Sequence, residues 1–244
     1  KQKFDEVVLK ELALPVNQES DLKDWKNFLK KYKNPKKKVE IALVGKYVSL
    51  QDSYKSIAEA FIHAGASQDT EVKLRWVYSG DLTEENLAEN FKGIDGMLIA
   101  PGFGDRGIEG KILAAKFARE NKIPLLGICL GMQIMTIEFA RNVLGLKDAN
   151  SAEFDLTTKN PVISLMEEQK NVVDKGGTMR LGAWKCQLKP HTKLIDIYGN
   201  KNITERHRHR YEFNSDYLED FEKNGLYASG INPDTKLVET LELR

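Results

Sequence analysis

Cys129 stands in Gly127-Ile128-Cys129-Leu130-Gly131, the run of this chain with the clearest chemical content. A nucleophilic side chain framed by glycines, between an apolar strand and a helix, is the elbow of hydrolases with Cys in place of Ser. Ile123-Pro124-Leu125-Leu126 reads as a short buried strand, and residues 132–140 have helical apolar spacing. The glycines permit a turn in which a Cβ would crowd the neighbouring backbone. A helix N-terminus behind Cys129 favours thiolate, which predicts a pKa below the roughly 8.5 of a free thiol. A lone Cys at a strand end is otherwise a buried structural residue; both glycines and both flanking elements together select the nucleophile. Such a sulfur needs a base, usually His held by a carboxylate. The four histidines are His63 on a helix, His191 in a loop after Pro190, and His207 and His209 within an Arg-rich run. Neighbouring positive charge would keep the last two neutral. None has a carboxylate in an evident orienting position, so the base stays open among them. Cys129 and Cys186 lack a CxxC partner or a nearby His pair, which argues against a metal site.

The elements that must carry this sulfur are legible from Val39 onward. Strands are expected over 39–44, 71–78, 96–100 and from 123 to the elbow, with helices over 53–64, 84–91 and 109–121 between them. Ile57, Ala60, Phe61 and Ala64 are expected to face inward. Strand alternating with helix implies an α/β fold with a mostly parallel central sheet, helices on both faces and active residues at the strand C-termini. Pro101-Gly102-Phe103-Gly104 follows the third strand as Cys129 follows the fourth, so both loops share one sheet edge. Pro101 has no N–H; Gly102 is therefore the expected oxyanion donor, paired with the N–H of Leu130.

The flanks differ. Residues 1–38 hold a short apolar helical face ending near Pro15, a second helix opening on a possible Ser20 cap with Leu22, Trp25, Phe28 and Leu29 on one side, and the run Lys36-Lys37-Lys38, read as a solvated linker. Asp174 to Gly182 is glycine-rich and suits a mobile lid or a turn, and residues 205–212 suit a salt-bridged strand or a phosphate patch. Residues 227–231 and 236–243 read as additional, antiparallel strands. A formal charge of +1 argues against a dedicated nucleic-acid binder, and no apolar run approaches a membrane span. Two cysteines suit a reducing compartment, and the first residues lack a signal-peptide core, so a cytoplasmic location is expected.

Gly127 to Gln133 resembles the nucleophile motif of class I glutamine amidotransferases. Four further stretches narrow the resemblance to the glutaminase domain of the CTP synthase family: Val44-Gly45-Lys46-Tyr47 with Tyr54-Lys55-Ser56, Phe103 to Gly110, Gly177-Thr178-Met179-Arg180-Leu181-Gly182, and Glu205 to Glu212. The last two are the more specific. The resemblance covers Val39 to Arg244, and it implies that residues 1–38 are the end of a preceding synthetase domain with its linker and 39–244 the amidotransferase domain. It further implies a glutamyl thioester on Cys129 and a glutamine pocket of Gly102, Phe103, Leu130, Gly131, Met132, Gln133, Glu153, Arg210 and Tyr211. Glu153 would hold the substrate ammonium and Arg210 its carboxylate, by charge-assisted hydrogen bonds. No cofactor is implied for these residues themselves. ATP and Mg2+ belong to the family's synthetase domain, which aminates UTP to CTP, and GTP is the allosteric activator, with Arg106 near its site. The implied partners are glutamine, the synthetase domain and further copies of the whole protein.

Two departures stand out. Ala100-Pro101-Gly102-Phe103-Gly104 replaces the family's Pro-Gly-Gly-Phe-Gly, which leaves the Gly102 N–H intact. The family also continues into His-Pro-Glu-Phe, which supplies its catalytic His and orienting Glu; this sequence reaches Arg244 first. The expectation is a piece truncated at its C-terminus that turns glutamine over very poorly alone. Two alternatives remain. One is the glutaminase of another class I amidotransferase, against which the Arg-His run and the Gly-Gly-Thr-Met-Arg loop count. The other is a non-catalytic assembly or GTP-sensing module with a vestigial elbow.

Overall fold

A computed structural model describes residues 3–16, 21–165 and 179–244. Along the chain lie α1 (Phe4–Glu11), α2 (Lys23–Lys33), β1 (Lys37–Gly45), α3 (Lys55–Ser67), β2 (Thr70–Tyr78), α4 (Leu87–Asn90), β3 (Gly96–Ile99), α5 (Ile108–Glu120), β4 (Leu125–Gly127) and α6 (Leu130–Asn142). They are followed by β5 (Asn150–Ser151), β6 (Pro161–Leu165), β7 (Arg180–Leu188), α7 (Lys193–Tyr198), β8 (Asn202–His209), β9 (Tyr211–Phe213), α8 (Leu218–Lys223), β10 (Leu226–Ile231) and β11 (Val238–Leu243). The chain divides into two compact units, residues 1–38 with 59–72, and residues 39–58 with 73–244.

In the first unit, Trp25, Phe28 and Tyr32 stack along one side of α2, the spacing at which helical side chains meet. Phe28 also stacks on His63, with ring centroids 4.8 Å apart. Lys30, Lys31 and Lys33 in the last turn of α2 oppose the negative end of its dipole. Leu22 occupies the cap position of α2; Ser20 lies outside the described residues.

The second unit is built on a four-stranded sheet in the order β2-β1-β3-β4, in which β1, β3 and β4 run parallel. Every residue of β3 is buried, which is why it reads as a continuous apolar run rather than an alternating one. Helix α5 serves two cores. Ala114 and Ala118 pack with Val44, Val77, Phe91 and Met97, whereas Ile108, Ile112 and Ala115 pack with Ile99, Leu130, Ile134 and Ile137. Arg119 of α5 donates to the buried Glu138 of α6 through Nε (3.0 Å to Oε2) and Nη2 (2.8 Å to Oε1), so the elbow helix is held by charge as well as by packing. Beside this sheet are an antiparallel sheet, β11-β10-β7-β8, and a small sheet, β5-β6-β9.

Three expectations shift. The helix expected over 84–91 contracts to Leu87–Asn90. Helix α3 begins at Lys55, after a 3-10 turn over Gln51–Tyr54, and its buried residues are Gly65 and Ala66, whereas Ala60 and Ala64 are exposed. The glycine-rich stretch from Asp174 divides: 174–178 lie outside the described residues, and Arg180 opens β7, a regular strand paired with β8 from Arg180↔His209 to Gln187↔Asn202.

Candidate functional site

Cys129 caps α6 with φ 55° and ψ −110°, a combination that non-glycine residues occupy only when their surroundings enforce it. The enforcement is visible on both sides. A Cβ on Gly131 would stand 2.2 Å from the Ile99 carbonyl oxygen, and one on Gly127 would stand 2.5 Å from the Gly131 carbonyl carbon. Glycine at both positions therefore lets α6 press against the end of β3. The Ile128 N–H donates to the Ile99 carbonyl (3.2 Å) and the Gly131 N–H to the Ile128 carbonyl (2.8 Å), closing the turn beneath the sulfur.

The sulfur is half-buried and opens into a pocket lined by Gly102, Phe103, Gln133, Glu153, Arg210 and Tyr211, with Met179 and His209. This pocket is small and open to solvent. Its hydrogen-bond pattern is specific. Gln133 Nε2 donates to the Tyr211 carbonyl (3.0 Å), the Gly104 N–H donates to Glu153 Oε1 (3.2 Å), and the Cys129 thiol reaches the Arg208 carbonyl at 4.0 Å. Lys46 Nζ donates to the Phe103 carbonyl and, at 3.1 Å, to that of Gly104. The Phe103–Gly104 peptide is thus held at both ends, by a cation on its oxygen and a carboxylate on its N–H.

Burial pushes the Cys129 thiol above its ordinary value. The Leu130 N–H draws it down, Glu153 and Glu212 push it further up, and Lys111 lowers it. The helix N-terminus acts in the expected direction, but desolvation of the half-buried sulfur outweighs it. Burial likewise raises the Tyr211 phenol, with Glu153 adding to the rise and Arg210 opposing it.

Behind the pocket, β7, β8, β9 and β11 share a buried ionic cluster. Arg180 grips Glu239 through both terminal nitrogens, with Nη1 3.0 Å from Oε2, and lies 3.5 Å from Glu212. His207 Nδ1 lies 2.7 Å from His209 Nε2, His207 Nε2 lies 3.5 Å from Glu239, and His209 Nδ1 lies 3.1 Å from Glu212. The carboxylates that sequence spacing did not reveal come from separate strands. Burial is the first cause that lowers the His207 pKa, with Arg180 and His209 acting the same way and Glu239 opposing. Arg206, Arg208 and Arg210 are not among its largest causes.

Of the residues expected at the site, Gly102, Phe103, Cys129, Gln133, Glu153, Arg210 and Tyr211 share the pocket wall. Leu130 is buried and contributes through its amide, Gly131 works beneath the turn, and Met132 accepts a hydrogen bond from Thr136 through both its carbonyl and its sulfur. Met179 lines the pocket and was not singled out for it by sequence, nor were Lys46 and Lys111, which reach the carbonyls of the adjoining loop rather than the pocket wall. Arg106 stands with its guanidinium 5.4 Å from the centre of the Tyr47 ring, a cation–π distance.

Residues 49–244 match the family model described as glutamine amidotransferase class-I. The chain is similar to the CTP synthase of Cytophaga hutchinsonii, with 62% identity over 244 residues that cover 100% of the chain and 45% of that protein. It is similar also to the CTP synthase of Flavobacterium psychrophilum, with 61% identity over 240 residues, 98% of the chain and 45% of that protein. The chain therefore spans a little under half the length of these relatives. Among solved structures it is similar to the glutaminase domain of Trypanosoma brucei CTPS with bound acivicin, at 37% identity and a TM-score of 0.75, covering 84% of this chain and 79% of that one.

Proposed function

Because the chain belongs to the class I glutamine amidotransferase family, as one of its CTP synthase glutaminase domains, we propose that Cys129 takes ammonia from glutamine through a thioester. The observation that carries this reading is the strained elbow opening into one pocket with the Gly102 loop. The Cys129 thiolate attacks the side-chain amide carbon, and the C=O π pair moves onto oxygen. The N–H groups of Gly102 and Leu130 receive that oxyanion. Collapse re-forms the carbonyl and expels the nitrogen, which leaves as ammonia once protonated; water then cleaves the thioester to glutamate. Glu153 exchanges its hydrogen bond from Gly104 for the substrate ammonium, and Arg210 holds the substrate carboxylate. Tyr211, a neutral phenol, closes the wall.

The proton carrier is a separate part of the proposal. Both ring nitrogens of His207 and of His209 face the buried ionic cluster, and His63 stacks on Phe28 in the first unit. His191 is exposed and away from the pocket wall, and a His-Pro-Glu-Phe segment of the kind the family carries would supply the base. In the whole protein the ammonia aminates UTP in a synthetase domain that uses ATP and Mg2+. Residues 1–38 are the end of that domain and its linker, 39–244 are the amidotransferase domain, and GTP activates the latter from a site near Arg106. Such a protein is a cytoplasmic ligase of pyrimidine biosynthesis that assembles with its own copies; among the described residues no helix is long and apolar enough to cross a membrane.

The test is covalent labelling with a diazoketone analogue of glutamine followed by peptide mapping. Modification of Cys129 that free glutamine slows is expected, and Cys129→Ser should remain unmodified. An untouched Cys129 would refute the glutaminase reading in favour of a vestigial elbow.

A further inference from the structure

Lys111 is wholly buried in the first turn of α5, with 0% of its surface exposed, and its ammonium donates to the Ala100 carbonyl at 2.8 Å. An ammonium sealed in an interior costs several kcal/mol in lost hydration, so its retention calls for a specific task. The acceptor it has found is informative. The Ala100 N–H still belongs to the sheet, donating to the Val44 carbonyl at 2.9 Å, and the preceding carbonyl, of Ile99, accepts from Ile128. Ala100 C=O is the first carbonyl after the ladder ends, and the next residues are Pro101 and Gly102. Pro101 fixes φ near −65° and donates nothing. Lys111 therefore anchors the chain where it leaves the sheet, one proline before the oxyanion amide, while Lys46 anchors the far side of the loop at Phe103 and Gly104.

We propose that Lys111 is a positioning residue for the thioester reaction: its bond to the Ala100 carbonyl sets the Gly102 N–H where the oxyanion forms opposite Cys129. This role rests on the glutaminase reading of the site. Burial lowers the Lys111 pKa to about 7, with Lys46 acting the same way and Cys129 opposing. The anchor survives that titration, because a neutral amine still carries N–H donors.

Two electrophiles separate loop position from sulfur reactivity. Iodoacetamide needs only the thiolate, whereas the diazoketone analogue needs the glutamine pocket and its oxyanion donors. In Lys111→Met, which keeps the length of the side chain but donates nothing, diazoketone labelling of Cys129 should fall at least tenfold relative to iodoacetamide labelling. A displacement of about 1 Å at a reacting centre has effects of this order or larger. Lys111→Ala should show the same selective loss, and added propylammonium, which replaces the missing donor, should reverse it. That reversal is a readout a merely structural role would not give, and it serves if the methionine variant does not fold. An unchanged ratio in a folded variant, or a loss that propylammonium leaves in place, overturns the role of Lys111 alone. A wild-type chain that reacts with iodoacetamide but never with the diazoketone overturns the glutaminase reading and this role together.

Discussion

Gly131→Ala tests whether the elbow is held by close packing. The added Cβ would lie 2.2 Å from the Ile99 oxygen and 3.1 Å from its carbonyl carbon, both backbone atoms that cannot rotate away. Ordinary contact begins near 3.4 Å, so α6 and the end of β3 must part by roughly 1 Å. That movement falls on the 3.2 Å bond from Ile128 N–H to Ile99 O, which joins β3 to the elbow. Overpacking of this kind costs about 1–3 kcal/mol. For a chain of this length each kcal/mol lowers Tm by about 2–4 °C. The effect on chemistry should be larger in proportion, because a shift of about 1 Å at the nucleophile is worth about 100-fold in rate. Thermal unfolding and the rate of diazoketone labelling at Cys129 measure both. Gly145→Ala is the control: Gly145 has φ +75° and open space around it, so a Cβ there costs only about 1–2 kcal/mol of left-handed strain. It should lower Tm and leave labelling unchanged. A Gly131→Ala protein that labels at the wild-type rate would refute the argument that glycine packing aims the sulfur.

Three other outcomes follow from the same geometry. With the Cys129 thiol held above its ordinary value by burial, thiolate is scarce at neutrality, and iodoacetamide labelling should climb with pH past the roughly 8.5 of a free thiol; a plateau by pH 7 would contradict this. Lys111 binds fewer protons folded than unfolded between its lowered value of about 7 and the ordinary 10.5, so its contribution to stability improves as pH rises through that window. Denaturation of wild type and Lys111→Met should therefore show a stability difference that shifts in favour of wild type from pH 7 to pH 10. Finally, Glu239→Gln leaves the buried Arg180 guanidinium without its main counter-charge, and urea unfolding should show a loss of about 3 kcal/mol or more. A loss below about 1 kcal/mol would mean that Glu212 suffices.

Local signals and distant ones fared differently. The elbow was legible because its determinants lie in one short stretch, residues 123–140: two glycines, a strand before and a helix after. The pairing of the Gly102 loop with Cys129 was legible from topology, since consecutive parallel strands place their C-termini along one edge, and Ile99↔Gly127 are register partners. The inward face of α3 was misjudged, because burial there follows the close approach of Gly65 to Thr70 rather than apolar periodicity. The direction of the Cys129 shift was missed for a related reason: helix polarity can be read locally, whereas desolvation depends on residues far along the chain. Glu239, the carboxylate beside His207, belongs to the distant β11, whereas Glu212 is only three residues from His209 and meets it across the turn from β8 to β9. Lys111 gave no periodic signal at all, being a charged residue on a buried helix turn.

The central claim is that two backbone amides wait beside Cys129 for an oxygen. A crystal structure of the chain soaked with glutamate γ-semialdehyde tests it most directly, since addition of the thiol gives a thiohemiacetal whose oxygen mimics the oxyanion. That oxygen should lie about 2.7–3.1 Å from the backbone nitrogens of both Gly102 and Leu130. An adduct whose oxygen points away from both, or electron density on Cys186 with Cys129 bare, would contradict the account.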